Sequence, residues 1–266
     1  MTSDIVLYHG GCWDGFCAAW IARNNELSEA EFLPVQYGQQ PPDVCGKRVF
    51  IFDFSYKRPV MEKLINDCSE LYCFDHHKTA ELELKGLVNS KAKIVFDVSK
   101  SGGRLAAEYF RESSWLVDYT EDRDLWKWVL PSSREINEAL RSYPLDFDAW
   151  DKLHLRNPEE LIFEGSAILR ASQKIIDSHV SHAVEMEVGG HRVLGVNATC
   201  LISEIAGELA KRSAFGVCWF RRQDGAFIYS LRSCGDNAID VSRIAATYGG
   251  GGHLRAAGFE SSTLLG

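Results

Sequence analysis

Two periods of hydrophobic and polar positions alternate along the first ~130 residues. DIVLYHG is a short apolar run that ends in polar residues, and it predicts a strand. GFCAAWIARNN then places Phe16, Ala19, Trp20 and Arg23 at helical spacing. KRVFIFDFS is a near-continuous apolar run, as expected of a strand buried on both faces. RPVMEKLINDC reads as a helix with Val60, Leu64 and Ile65 on one side. ELYCFDHH and AKIVFDVS predict a third and a fourth strand, and GGRLAAEYFRE another helix. Strand–helix alternation of this kind implies a parallel sheet with right-handed crossovers.

Beyond Ser132 the period becomes mostly helical, through SREINEALRSYPLDFDAWDKL and the long EELIFEGSAILRASQKIIDSHVSHAVE. The latter reads as a connecting helix with Ile168, Ile175 and Val180 partly buried. From about Glu187 a second unit begins, with strands HRVLGVNA, FGVCWFRRQ and AFIYSLRS and helices ISEIAGELAKRS and DVSRIAATYG. The predicted class is α/β: a parallel-sheet domain over 1–150, a helical linker over 151–186, and a smaller α/β domain over 187–266, with the active-site cleft between the two domains.

Polar residues interrupt this pattern at particular places. His9 ends the first strand, Asp53 the second, and Asp75, His76 and His77 the third. Open parallel sheets bind ligands outside the C-terminal ends of their strands, so these groups are expected to converge. In HGGCWDGFCAA, Asp14 sits just before the first helix. A carboxylate there is favoured by the helix dipole and can project toward the sheet edge, or it can serve as an N-cap only. Asp53 lies among Phe and Ile and needs a metal, an arginine or backbone donors to offset its burial. VDYTEDRDLWKW crowds Asp118, Glu121, Asp122 and Asp124 into one segment, any of which could complete a metal site.

Composition narrows the chemistry. The 266 residues carry a net charge of −8, which argues against coating long duplex DNA and leaves room for a small anionic substrate. The eight cysteines include no CxxC pair, which argues against a zinc knuckle. No apolar run is long enough to span a bilayer, and MTSDIVLYHG has no basic leader followed by an apolar stretch. A reduced, cytoplasmic protein is expected. His and carboxylate donors without paired cysteines suit Mn²⁺, Mg²⁺, Zn²⁺ or Fe²⁺. There are enough donors for two ions sharing a carboxylate, an arrangement that generates hydroxide from water and stabilises attacking and leaving oxygens in phosphoryl transfer. Farther on, four consecutive glycines precede His253 in DVSRIAATYGGGGHLRAAGFE. They permit close backbone approach and an anion nest, with Arg232 and Arg255 available to pair with phosphate.

The ordered set DGFCAA, FDFS, FDHH, the acidic segment and DVSRIAATYGGGGHLRAAGF resembles the DHH superfamily of phosphoesterases. The C-terminal part resembles the DHH-associated domain of its nanoRNase, oligoribonuclease and cyclic-dinucleotide phosphodiesterase branch. The resemblance implies that His9, Asp14, Asp53 and His76 bind metal, with Asp53 bridging and Asp53, His76 and His77 forming the catalytic set. It makes Asp75 and His77 supporting or substrate-facing groups. Asp122 best matches the family's last metal-binding aspartate, with Asp118 and Asp124 as alternatives. His77, Arg232, Gly251, Gly252 and His253 would hold substrate, and Mn²⁺, as one or two ions, would be the usual activator. One position departs: where the family commonly has DxDG, this chain has CWDG, with Cys12 in place of the first aspartate. A thiolate is softer than a carboxylate and shifts preference toward Zn²⁺, whereas a neutral thiol weakens one metal site.

The expected function is metal-dependent hydrolysis of short oligonucleotides, linear dinucleotides or nucleotide phosphates. Two alternatives are a pyrophosphatase or polyphosphatase, and a weakly active nucleotide-binding module marked by Cys12. The expected partner is a small nucleotide or short oligonucleotide, with no long duplex and no membrane; a homodimer is left open.

Overall fold

In a computed structural model, residues 3–265 are described, and the chain divides into two compact units, residues 1–169 and 170–266. The first unit runs β1 (Asp4–His9), α1 (Trp13–Arg23), β2 (Glu31–Val35), β3 (Arg48–Phe52), α2 (Arg58–Asp67), β4 (Glu70–Asp75), α3 (Lys78–Glu83), β5 (Ala92–Phe96), α4 (Gly102–Phe110), α5 (Trp115–Asp124), α6 (Ser133–Leu140) and α7 (Phe147–His154). Then α8 (Ile162–Ser181) leads into the second unit: β6 (Val184–Val188), β7 (His191–Asn197), α9 (Ile202–Ala210), β8 (Gly216–Arg221), β9 (Phe227–Arg232), α10 (Val241–Thr247), β10 (Gly251–Gly252) and β11 (Ala256–Ser261).

The first unit holds a five-stranded parallel sheet in the order β2-β1-β3-β4-β5. Successive side chains of a strand point to opposite faces. Val6, Tyr8, Phe50, Phe52 and Phe74 therefore enter one core, together with Phe16 and Trp20 of α1 and Ala106 and Ala107 of α4. Ile5, Leu7, Val49, Ile51, Leu71 and Cys73 enter the other, against Met61, Leu64 and Ile65 of α2. Burial on both faces explains the unbroken apolar runs in the strands. Alanines and glycines on α1 and α4 are buried, as close packing of small side chains requires.

The second unit is a six-stranded mixed sheet in the order β10-β11-β9-β8-β7-β6, parallel only between β7 and β8. Ile244 and Ala245 of α10 share a core with Val217, Tyr229 and Leu231. Ile205 and Leu209 of α9 pack with Val196 and Cys218 in a separate one.

Several expectations change here. β2 had no predicted counterpart, because Pro34 breaks the strand signal; it is tolerated because β2 is an edge strand. Residues 151–186 are not a uniform linker, since Leu153 and Leu161 are buried in the first unit's core and β6 already begins at Val184. On α8 it is Ile176 that is buried, while Ile175 is exposed. Among the described residues no helix is long and apolar enough to cross a membrane.

Trp150 of α7 is fully buried, with its ring edge-on to Phe16 at 5.1 Å and tilted against Trp20 at 6.2 Å. Trp150→Ala should cost about 3–5 kcal/mol, because the cavity left by so large a side chain closes only partly. Urea denaturation followed by circular dichroism measures the loss.

Candidate metal centre

The strand order reverses between β1 and β3, the point at which an open parallel sheet leaves a crevice at its C-terminal edge. Two residues flank it. His9 closes β1, and Asp53 directly follows β3. Asp53 has a left-handed backbone, φ 62°, that few non-glycine residues adopt, and its N–H donates to the Phe74 carbonyl at 2.9 Å. Its carboxylate thereby faces two imidazoles: Oδ1 lies 3.0 Å from His76 Nε2, and Oδ2 lies 3.3 Å from His9 Nδ1.

Asp14 comes from the opposite side. It lies within the first turn of α1 rather than before it, and Cys12 occupies the N-cap. Its carboxylate accepts from Gly102 N at 2.6 Å and Gly103 N at 2.9 Å, at the N-terminus of α4. The Gly103 amide favours the ionised form of Asp14, against its burial. Asp14 Oδ2 also stands 3.7 Å from His76 Nε2. Two glycines make these approaches possible. A Cβ on Gly102 would lie 2.6 Å from the Asp53 Cβ, and one on Gly15 would lie 2.4 Å from the His9 carbonyl oxygen.

The DHH triplet divides its labour. Asp75, fully buried, accepts at Oδ1 from the backbone N–H of His76 (2.7 Å) and His77 (3.1 Å) and meets His77 Nδ1 at 2.7 Å. This fixes the turn after β4, aiming His76 inward and His77 toward Tyr37, whose hydroxyl is 3.4 Å from His77 Nε2. The Tyr37 ring also packs edge-on against His9, with centroids 4.9 Å apart. Sequence reasoning missed Tyr37, which lies in the loop after β2 with no patterned signal around it.

In the acidic segment, Asp124 rather than the expected Asp122 faces His76. Asp122 is buried and occupied: its oxygens accept from Val129 N (2.9 Å), Leu130 N (3.4 Å) and Ser133 Oγ (2.5 Å). Asp118 and Glu121 pair with Arg104. Asp124, the last residue of α5, places Oδ2 3.6 Å from His76 Nε2.

The result is two overlapping donor sets. The ligand atoms of His9, Cys12 and Asp53 lie within 4.8 Å of one another, and so do those of Asp14, Asp53 and His76. Asp53 belongs to both. Three carboxylates thus surround His76, and the charges respond. Burial raises the Asp14 pKa well above the ordinary value, with Asp53 and Asp124 adding to the rise. Burial alone would lower His76, but the hydrogen bond to Asp53 and the charges of Asp124 and Asp14 raise it to about 10. Burial would likewise raise Asp53, yet His76 and His9 hold it well below the usual carboxylate range. Burial and the Asp53, Asp124 and Asp14 carboxylates push the Cys12 thiol up. Buried carboxylates that repel one another, with N, O and S donors converging on the same point, fit divalent cations.

In the second unit, Arg232 ends β9 and its guanidinium donates to Ser203 Oγ at 2.7 Å and to the Leu231 carbonyl at 2.9 Å. The glycine run is a packed hairpin. Gly251 and Gly252 pair with Gly258 and Ala257, and a Cβ on Gly250 would lie 2.1 Å from the Gly258 carbonyl oxygen. The N–H groups of Gly249, Gly250 and His253 already donate to Ala246, Ala245 and Ala256, so the expected anion nest is not formed at those positions. Arg255 is exposed and donates to the Gly235 carbonyl.

No protein-family model matches the chain. An uncharacterized protein, R106, of Acanthamoeba polyphaga mimivirus is 28% identical over 99% of this chain and 68% of its own length. Among solved structures, the pGpG-specific phosphodiesterase PggH of Vibrio cholerae is similar over 97% of this chain and 93% of that one, with a TM-score of 0.52 and 12% identity. CDC45 of Entamoeba histolytica aligns over 97% of this chain with a TM-score of 0.45 and 11% identity. The chain thus shares the fold of the Vibrio phosphodiesterase.

Asp124→Asn should weaken Mn²⁺ affinity by about 10-fold or more, the scale on which changes around a metal are felt. Asp122→Asn should lower thermal stability and leave affinity within about threefold of wild type on that same scale. Isothermal titration and thermal melts separate the two. A cation bound through His76 Nε2 would displace its proton. Affinity should therefore rise with pH toward about 10, by up to about tenfold per unit for each proton expelled, and His76→Gln should flatten the rise.

Proposed function

We propose that the protein is a divalent-metal-dependent phosphoesterase acting on small nucleotide-like substrates: short oligonucleotides, linear dinucleotides or nucleotide phosphates. The observation that carries this reading is the Asp53 carboxylate, shared by two donor sets at the crevice between β1 and β3. The fold held in common with a pGpG-specific phosphodiesterase supports it, as does the resemblance to DHH phosphoesterases.

His9, Asp14, Asp53, His76 and Asp124 would hold the cations, with Mn²⁺ the activator that the resemblance favours. Bound there, divalent cations make water more acidic and offset charge developing on phosphate oxygens. The chain's own groups supply position. The left-handed backbone of Asp53 presents both of its oxygens, and the α4 amides hold Asp14 in place. Asp75 orients His77, whose pKa, lowered by burial, is raised overall by that carboxylate. His77 beside the Tyr37 hydroxyl is suited to donate to a phosphate oxygen. Arg232 and His253 remain candidate phosphate-binding groups of the second unit. The net charge of −8 favours a short substrate over long nucleic acid.

Mononucleotide release from 5′-labelled RNA, from the dinucleotide upward, tests the reading in Mn²⁺ buffer. Asp53→Ala should remove several kcal/mol of transition-state stabilisation, a rate loss of about a thousandfold or more. Near-normal turnover by that variant would sink the mechanism. Preferred turnover of pyrophosphate over every oligonucleotide would move the substrate class.

A further inference from the structure

We propose that Cys12 is a metal ligand and that it makes the two halves of the centre chemically unequal. The His9–Cys12–Asp53 half selects a thiophilic or borderline ion such as Zn²⁺, Co²⁺ or Fe²⁺. The Asp14–Asp53–His76 half, with Asp124 beside it, takes a harder ion such as Mn²⁺ or Mg²⁺. The inference rests on the reading of this site as a metal centre.

Two independent observations carry it. The first is convergence. The Cys12 sulfur, a nitrogen of His9 and an oxygen of the buried Asp53 mutually approach within 4.8 Å, close enough to share one ion. Among the described residues, none of the other seven cysteines joins a donor set. Cys17, Cys68, Cys73 and Cys218 are packed into apolar cores, and Cys45, Cys200 and Cys234 are exposed.

The second is a fixed backbone. Cys12 occupies the N-cap of α1, its carbonyl accepts from Phe16 N at 3.0 Å, and Gly11 before it turns at φ 68°. The turn from β1 into α1 therefore holds the sulfur beside His9 and Asp53.

The selectivity follows from ligand softness. A thiolate selects zinc, iron and similar ions, whereas carboxylates suit manganese and magnesium. Each half-site keeps Asp53 in common, so the difference between them lies in sulfur against carboxylate.

The test uses the full chain, stripped with chelator and titrated with Co²⁺ under reducing conditions. Wild type should develop a thiolate-to-cobalt charge-transfer band in the near ultraviolet alongside the ligand-field bands. Cys12→Ser and Cys12→Asp should lose the charge-transfer band and keep the ligand-field bands, while Cys45→Ser retains both. In competition, followed by elemental analysis of the desalted protein, Cys12→Asp should shift the retained Zn²⁺ to Mn²⁺ ratio toward Mn²⁺ by about tenfold or more. Circular dichroism of each variant guards against misfolding. Ligand-field bands without charge transfer in folded wild type, or a charge-transfer band that survives in Cys12→Ser, would overturn the role of Cys12 and leave the metal centre standing. Absence of any Co²⁺ binding would overturn the centre and this inference with it.

Discussion

A carboxylate buried beside two imidazoles at the end of an apolar strand is the constraint around which the first unit is organised. Asp53 is 1% exposed and would be costly to bury alone. Its carboxylate is met by His9 and His76, which arrive from the ends of two different neighbouring strands. That meeting requires β1, β3 and β4 to stop at the same level. It also requires the backbone to turn left-handed at Asp53, a conformation that costs on the order of 1–3 kcal/mol and persists only where its surroundings enforce it. The enforcing groups are the Phe74 carbonyl, the two imidazoles and the tight contact with Gly102.

Around that point the charges form a graded set. Asp53 stays ionised, Asp14 is pushed toward protonation, and His76 holds its proton far above neutrality. These opposite displacements arise from one crowded arrangement, since every carboxylate that stabilises the imidazolium also repels the others. Perturbed groups of opposite kinds gathered in one crevice mark a functional site on physical grounds.

Much of this was legible in the sequence. The polar ends of three apolar runs pointed to a shared edge, because a parallel sheet brings strand ends together whatever their separation in the chain. The parts that were not legible depended on helix phase and loop course. Asp118, Glu121, Asp122 and Asp124 look alike in one dimension. Only the packing of α5 shows that Arg104 takes the first two, that Asp122 fastens the following turn and that Asp124 reaches His76. Tyr37 owes its place to the loop after an edge strand that Pro34 disguised. The glycine run before His253 carried a functional look that its hairpin packing largely explains.

The space around Gly15 and Gly102 has a consequence for how the protein can drift under mutation. Neither residue offers a donor atom, yet a single methyl group at either would press into His9 or Asp53. The set of positions at which a missense change disables the centre is therefore wider than the set that could touch an ion. At these two, substitution by even the smallest side chain should be as disabling as loss of a ligand, and a screen for inactive alleles should recover them together.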